Sequence, residues 1–274
     1  MSLRWNLFAT ALCGLLIIWT TKLFAAELKI TINEQVSSYS SSDLLGLPDV
    51  ADLTIPNDVA YKRRMAYKAV PLLALLGPTT KLTFDTLEAR ATDGFVSQLP
   101  MNLIMRGASG GATPWIAIEA PQDPWPKLNK KTISAGPFYL VWQFPKKSGI
   151  GPEQWPYALA ELRGVRSPMQ RWPKMVVQSE AKQDATARRG LHIYIKHCLA
   201  CHKIAGAGEA TMGPDLAHPM SPTAYMTEAG LSALIRNPAA VRTWPKQEMP
   251  GFATDVLPPN DLNDLMAYLK YMAP

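Results

Sequence analysis

Within the run His197, Cys198, Leu199, Ala200, Cys201, His202, two thiols stand one helical turn apart and an imidazole follows the second. Side chains at positions i and i+3 share a face on a helix or tight turn. A helical stretch, "GLHIYIK" at 190–196, precedes the two thiols. The chain has three cysteines, and the third, Cys13, sits in an apolar stretch near the start. If that stretch is removed on export, only Cys198 and Cys201 remain, no disulfide can join distant segments, and the pair is either the chemistry of the protein or a small local crosslink.

That first stretch, "MSLRWNLFATALCGLLIIWTTKLFAA", has Arg4 in a short head, no charge from Trp5 to Thr21, and small residues at Ala25 and Ala26. This is the layout of an export signal, so residues 1–26 are expected to be a signal peptide and the mature protein periplasmic. An uncleaved anchor is the alternative, and the only membrane attachment expected.

Three chemistries use a paired thiol and imidazole. A closed zinc site needs four ligands; beyond His202 the histidines are His192, His197 and His218, and adjacent Cys201 and His202 reach one tetrahedral ion poorly. A catalytic dithiol follows a strand and opens a helix, whereas here a helical stretch precedes it. Covalent haem accounts for every residue: each thiol adds across one porphyrin vinyl group and His202 ligates the iron. A thioether is a common ligand for the opposite face. Met249 in "EMPGF" is the candidate, fixed in irregular chain by Pro250 and Gly251; Met212, Met220, Met226 and His218 are rivals.

Around the motif the pattern is helical: "ATARRGLHIYIKHC", "TEAGLSALIRNPAAVR" and "PNDLNDLMAYLKYM". Leu262, Leu265, Met266 and Leu269 recur at three and four and give the last helix one apolar stripe, with Asn260 as its expected cap. The combination "GLHIYIKHCLACHK…GPDL…LIRNPAAVRTWPKQEMPGF…LNDLMAYLKYM", over about 185–274, resembles a class I c-type cytochrome domain. The resemblance implies one covalent haem c on Cys198 and Cys201, with His202 and Met249 as axial ligands. It also implies that Gly190 and Tyr194 pack against Tyr268, and that the Pro214 carbonyl accepts the N–H of the proximal imidazole. Trp244 is placed at the haem edge or in ordinary core.

Residues 27–177 read differently. "LKITI", "VADLTIP", "RMAYKAV", "KLTFDTLEA", "WIAIEAP" and "FYLVWQFP" are strand-like, "YSSSDLLGL" and "PLLALLG" are short helices, "TDGF" is a turn, and "PEQWPYALAELRGV" is expected to be a short helix. Over 27–175 the order of these segments is similar to the sulfite-oxidase-like molybdopterin domain. In that family a protein cysteine binds molybdenum, and 27–175 contains neither cysteine nor histidine. This domain is therefore expected to be a cofactor-free scaffold. Arg106 opens a glycine-rich stretch, "RGASGGATPW", read as a loop.

The expected architecture is multidomain: an α+β sulfite-oxidase-like domain at 27–177, a polar linker at 178–188, and an all-α cytochrome c domain at 189–274. The function implied is single-electron transfer between redox partners, with no catalytic residue of its own. The alternatives are a molybdopterin oxidoreductase passing electrons to its own haem, and a haem-based sensor. A net charge of +6, with Lys127, Lys130, Lys131, Lys146 and Lys147 close together upstream, suits a redox partner with an acidic surface, docking there or near the haem edge. With no nucleic-acid motif, nucleic acid is not expected as a partner.

Overall fold

The computed structural model describes residues 26–78, 82–244 and 247–274, with Gln183 by its backbone only. The expected signal peptide, apart from Ala26, lies outside the described residues.

Among the described residues, nine strands build the N-terminal unit. β1 (Glu27–Ile32), β2 (Gln35–Ser40), β5 (Thr86–Ala91), β6 (Val96–Pro100) and β9 (Leu159–Val165) form one sheet in the order β2-β1-β9-β5-β6. β3 (Ala51–Ile55), β4 (Met65–Pro71), β7 (Thr113–Ile118) and β8 (Phe138–Gln143) form the other in that order. In β1, Leu28 and Ile30 are buried while Glu27 and Lys29 face water, the period-two pattern of a half-covered strand. β8 is buried through five consecutive residues, because its free edge is covered. The Leu140 amide donates to the Pro156 carbonyl and the Trp142 indole N–H to the Gln154 carbonyl, which removes an exposed edge. Residues from both sheets, among them Leu28, Leu87, Ile116, Val141 and Leu162, share one apolar core.

The short helices α1 (Ser41–Leu45) and α2 (Leu72–Leu76) fall where serine caps and a leading proline place them, and α3 (Met101–Ile104) follows β6. "RGASGG" is a tight 3-10 turn over Met105–Ser109 rather than an open loop. The "TDGF" turn joins β5 to β6, with Gly94 at φ +92°, a left-handed conformation that glycine adopts without steric cost.

One expectation fails here. "PEQWPYALAELRGV" is not a helix: a 3-10 turn at Pro152–Gln154 leads into β9, the central strand, parallel to β1 and antiparallel to β5. Its two deeply buried leucines, Leu159 and Leu162, are three apart, a helical spacing. The register explains them, since Arg90 pairs with Glu161 and Ala91 with Leu159. Ala160 is an extra residue in a β-bulge, which turns both leucines inward.

After α4 (Pro168–Arg171) the chain enters the helical unit: α5 (Ala185–His197), α6 (Pro222–Tyr225), α7 (Glu228–Arg236), α8 (Pro238–Val241) and α9 (Pro259–Tyr271). α5 starts inside the stretch read as a linker. Upstream of that stretch, Met175 is fully buried in the second core, and its carbonyl accepts the Tyr268 hydroxyl at 2.8 Å. The α9 stripe of Leu262, Leu265, Met266 and Leu269 is buried as a set. Its cap differs from expectation. Pro258 precedes a helix that opens on Pro259, where a missing N–H costs nothing, and Asn260 lies within the first turn.

α5 and α9 cross tightly. The Tyr194 and Tyr268 rings are 5.4 Å apart, and a Cβ on Gly190 would sit 2.0 Å from the Asp264 carbonyl oxygen. Glycine is required by that backbone approach, which is the pairing implied for Gly190, Tyr194 and Tyr268.

The two units also meet. The Val96 amide donates to the Ala200 carbonyl at 2.9 Å, and the Thr211 amide to the Gly94 carbonyl at 3.3 Å. β6 and its turn thus lie against the loop carrying the cysteines.

Candidate functional site

α5 delivers the motif. The Cys198 amide donates to the Tyr194 carbonyl at 2.8 Å as the helix ends. The Cys201 and His202 amides then both turn back to the Cys198 carbonyl, at 3.0 and 2.9 Å. This single turn sets both thiols, half-buried and unbonded to each other, beside one imidazole.

His202 is fixed from three directions. Its Nδ1 lies 2.8 Å from the Pro214 carbonyl oxygen, so Nδ1–H donates there and the Nε2 lone pair is free for a metal. Its own carbonyl accepts the Tyr194 hydroxyl at 3.0 Å. Behind the ring is Gly213, whose amide donates to the Cys201 carbonyl at 2.8 Å. A Cβ at Gly213 would come within 2.4 Å of the ring. Burial lowers the pKa of His202, and the Pro214 carbonyl opposes that shift; the neutral form is the one that ligates.

The sequence reading missed Gly213 and Asp215. Asp215 accepts the amides of Ala205 (3.0 Å), Gly206 (2.7 Å), Ala217 (2.8 Å) and His218 (3.1 Å). Burial raises its pKa, but these four bonds outweigh it and the net shift is downward. Asp215 thereby ties the loop after His202 to the segment that carries Pro214. The "GPDL" run contained both residues, but their roles depend on contacts across the loop.

The thiols are not set up as thiolates. Burial pushes both pKa values up, that of Cys201 to about 12, and the charge of Glu153 adds to each shift. A catalytic dithiol needs the opposite, a positive neighbour that lowers the pKa. Among the described residues no group of three or more His, Cys, Asp and Glu is arranged to hold a metal ion.

Met249 is half-buried and packs against the second core. Of its rivals, Met212 has its sulfur 3.9 Å from Cys201 Sγ and belongs to the segment backing His202, so it lies on the imidazole's own side. Met220 is exposed, and Met226 packs on the second core. Trp244 is 45% exposed with the Arg242 guanidinium 5.9 Å above its ring, so it is not ordinary core.

A family model described as Cytochrome c matches residues 187–273. The C-terminal unit is a cytochrome c domain. That family carries covalently bound haem c and transfers electrons, and the residues here fit the group: two neutral thiols on one turn, and an imidazole with Nε2 free. A search of curated proteins finds no match to the chain. The cytochrome c match does not reach the β-rich unit.

The glycine behind His202 gives a direct test. In Gly213→Ala the methyl group displaces the imidazole, and the reduced protein is expected to lose low-spin character while its haem stays covalently attached. A wild-type spectrum in this variant would show that Gly213 is not required at that contact.

Proposed function

We propose that the chain is a periplasmic, single-haem cytochrome passing single electrons between redox partners, with the N-terminal unit as docking scaffold. The observation that carries this reading is the turn presenting Cys198, Cys201 and a His202 whose Nδ1 is already engaged by Pro214. Haem, when bound, supplies an iron that cycles between two oxidation states one electron apart. The chain's own residues do the rest. Cys198 and Cys201 would hold the porphyrin by thioether bonds, and His202 Nε2 and the Met249 sulfur would be the residues that ligate the iron. Tyr194, Gly213 and Pro214 keep the imidazole from turning. Trp244, 45% exposed, is the aromatic assigned to the haem edge on this reading.

For the N-terminal unit we propose the sulfite-oxidase-like fold without its molybdenum centre, since residues 27–175 have no cysteine to ligate that metal. Its contacts with the cysteine loop support the scaffold role. Lys131 spends its charge internally, donating to the Tyr157 hydroxyl at 2.8 Å and lying 3.8 Å from Glu248. That leaves Lys127, Lys130, Lys146 and Lys147 to meet an acidic partner.

Haem and metal analysis of purified protein tests the reading. One covalent haem per chain, iron without molybdenum, and a reduced spectrum unmoved by carbon monoxide are expected. In Met249→Ala, carbon monoxide is expected to bind the reduced protein and the reduction potential to fall, because a thioether ligand raises it. Stoichiometric molybdenum would favour the oxidoreductase, and a wild-type spectrum altered by carbon monoxide would favour a sensor.

A further inference from the structure

One buried pair across the two units has no part in the reading so far. Glu153, on the turn before β9, is 7% exposed, and His197, the residue before Cys198, is 3% exposed. Their side chains meet at 2.9 Å, Oε2 of Glu153 against Nδ1 of His197. His197 also packs edge-on against Phe252, with ring centres 5.7 Å apart, and Phe252 follows the Met249 loop. A carboxylate of the N-terminal unit is therefore bonded to the imidazole that links the haem-attachment turn to the segment offering the second ligand.

Buried carboxylates are costly unless paired. Here Nδ1–H of His197 donates to Glu153, while Nε2 of His197 is buried with no hydrogen-bond partner. The imidazole thereby orients the Glu153 carboxylate toward the end of α5. That carboxylate is bonded to the residue that directly precedes Cys198, which brings it to the edge of the attachment turn.

We propose that Glu153 is a positioning residue that sets the haem potential: the N-terminal unit places one buried negative charge against the attachment turn and so favours the oxidised iron. This rests on the cytochrome reading above. The sign follows from electrostatics, since loss of an electron makes the iron centre more positive and a nearby fixed anion stabilises that state, most strongly where water is excluded. The N-terminal unit is then part of the redox centre as well as a scaffold.

The test is a potentiometric titration of the haem-loaded full chain and three variants. Glu153→Gln keeps the shape and an acceptor for Nδ1–H but removes the charge. It is expected to shift the reduction equilibrium about tenfold toward the reduced form, which is about 59 mV upward for one electron. Glu153→Asp keeps the charge and is expected to stay within half that shift, and so is Glu228→Gln, on the exposed surface. An unmoved potential in Glu153→Gln overturns the proposal, and so does an equal rise in Glu153→Asp, which would mean that only the fit matters. Should Glu153→Gln fail to accumulate, Glu153→Asp decides alone: a charge-determined potential survives the shorter side chain, and a fit-determined one does not. Failure of the cytochrome reading would look different, because no covalent haem would be there to titrate.

Discussion

A chain with alanine at both 198 and 201 is expected to contain no covalently bound haem, while chains with a single replacement keep it. On the proposed reading each sulfur would form its own bond to the porphyrin edge, so one remaining bond would still prevent escape. With one vinyl group left unsaturated, the reduced absorption band of each single variant moves to longer wavelength. Without either bond, the ring is held by its iron ligands and by apolar contact alone. Tethering makes the binding of His202 intramolecular, and removing the tether forfeits that effective concentration. Acidified ketone, which breaks iron ligation but not thioethers, is the measurement. Wild type and single variants retain pigment in the protein pellet, and the double variant releases all of it. Pigment retained by the double variant would mean that the sulfurs are not the attachment points. Both thiols are half-buried and neither is cross-linked to the other, so the effect on colour is expected to exceed the effect on fold.

What the sequence disclosed and what it concealed divide along chain separation. The cysteine turn, the α9 stripe and the alternation in β1 are local patterns, and each emerged in the structure where its spacing put it. β9 was concealed because one bulged residue at Ala160 gave a central strand the leucine spacing of a helix. Gly213 was concealed because its neighbour, the ring of His202, is brought there by a folded-back loop. Glu153 and His197 are 44 residues apart, and Glu88 and Arg171 are 83 apart. Charged residues of this kind read as solvated faces in a sequence. Only the packing of β5 and β9 against the helical unit shows that they are shut away from water. The features that join the two units are therefore the ones that single-residue patterns could not supply.

Below pH 4.5, stability is expected to fall steeply, and Glu88 is the named cause. On β5 it is fully buried. It receives Arg90 Nε at 2.7 Å, Arg163 at 2.8 Å, Arg171 at 2.8 Å and the Gln98 amide at 3.0 Å. Glu209 of the cytochrome domain shares the same three arginines, Arg90, Arg163 and Arg171. The cluster is therefore an ionic clasp between the units. Burial alone would raise the pKa of Glu88, but the hydrogen bonds of Gln98 and Arg90 and the charge of Arg171 outweigh it. The result is about 2, against an ordinary value of 4.5. A carboxylate whose pKa is lowered on folding contributes stability that is complete above the unfolded value and is lost as pH falls through the folded one. The window is thus from about 4.5 down to about 2, and the contribution is about 3 kcal/mol. Glu88→Gln removes the charge and leaves three guanidinium groups with Glu209 as their shared carboxylate, Arg90 also keeping Glu161. Loss of one partner from a buried ion pair costs about 3–5 kcal/mol. Urea unfolding of the haem-loaded protein reads both effects. At pH 7 the variant is expected to be less stable by about that amount, and on acidification the two proteins converge, because wild type loses what the variant already lacks. Equal stability at pH 7 would show that the arginines are satisfied without Glu88. A gap that persisted to pH 2 would show that its charge is not what stabilises the clasp.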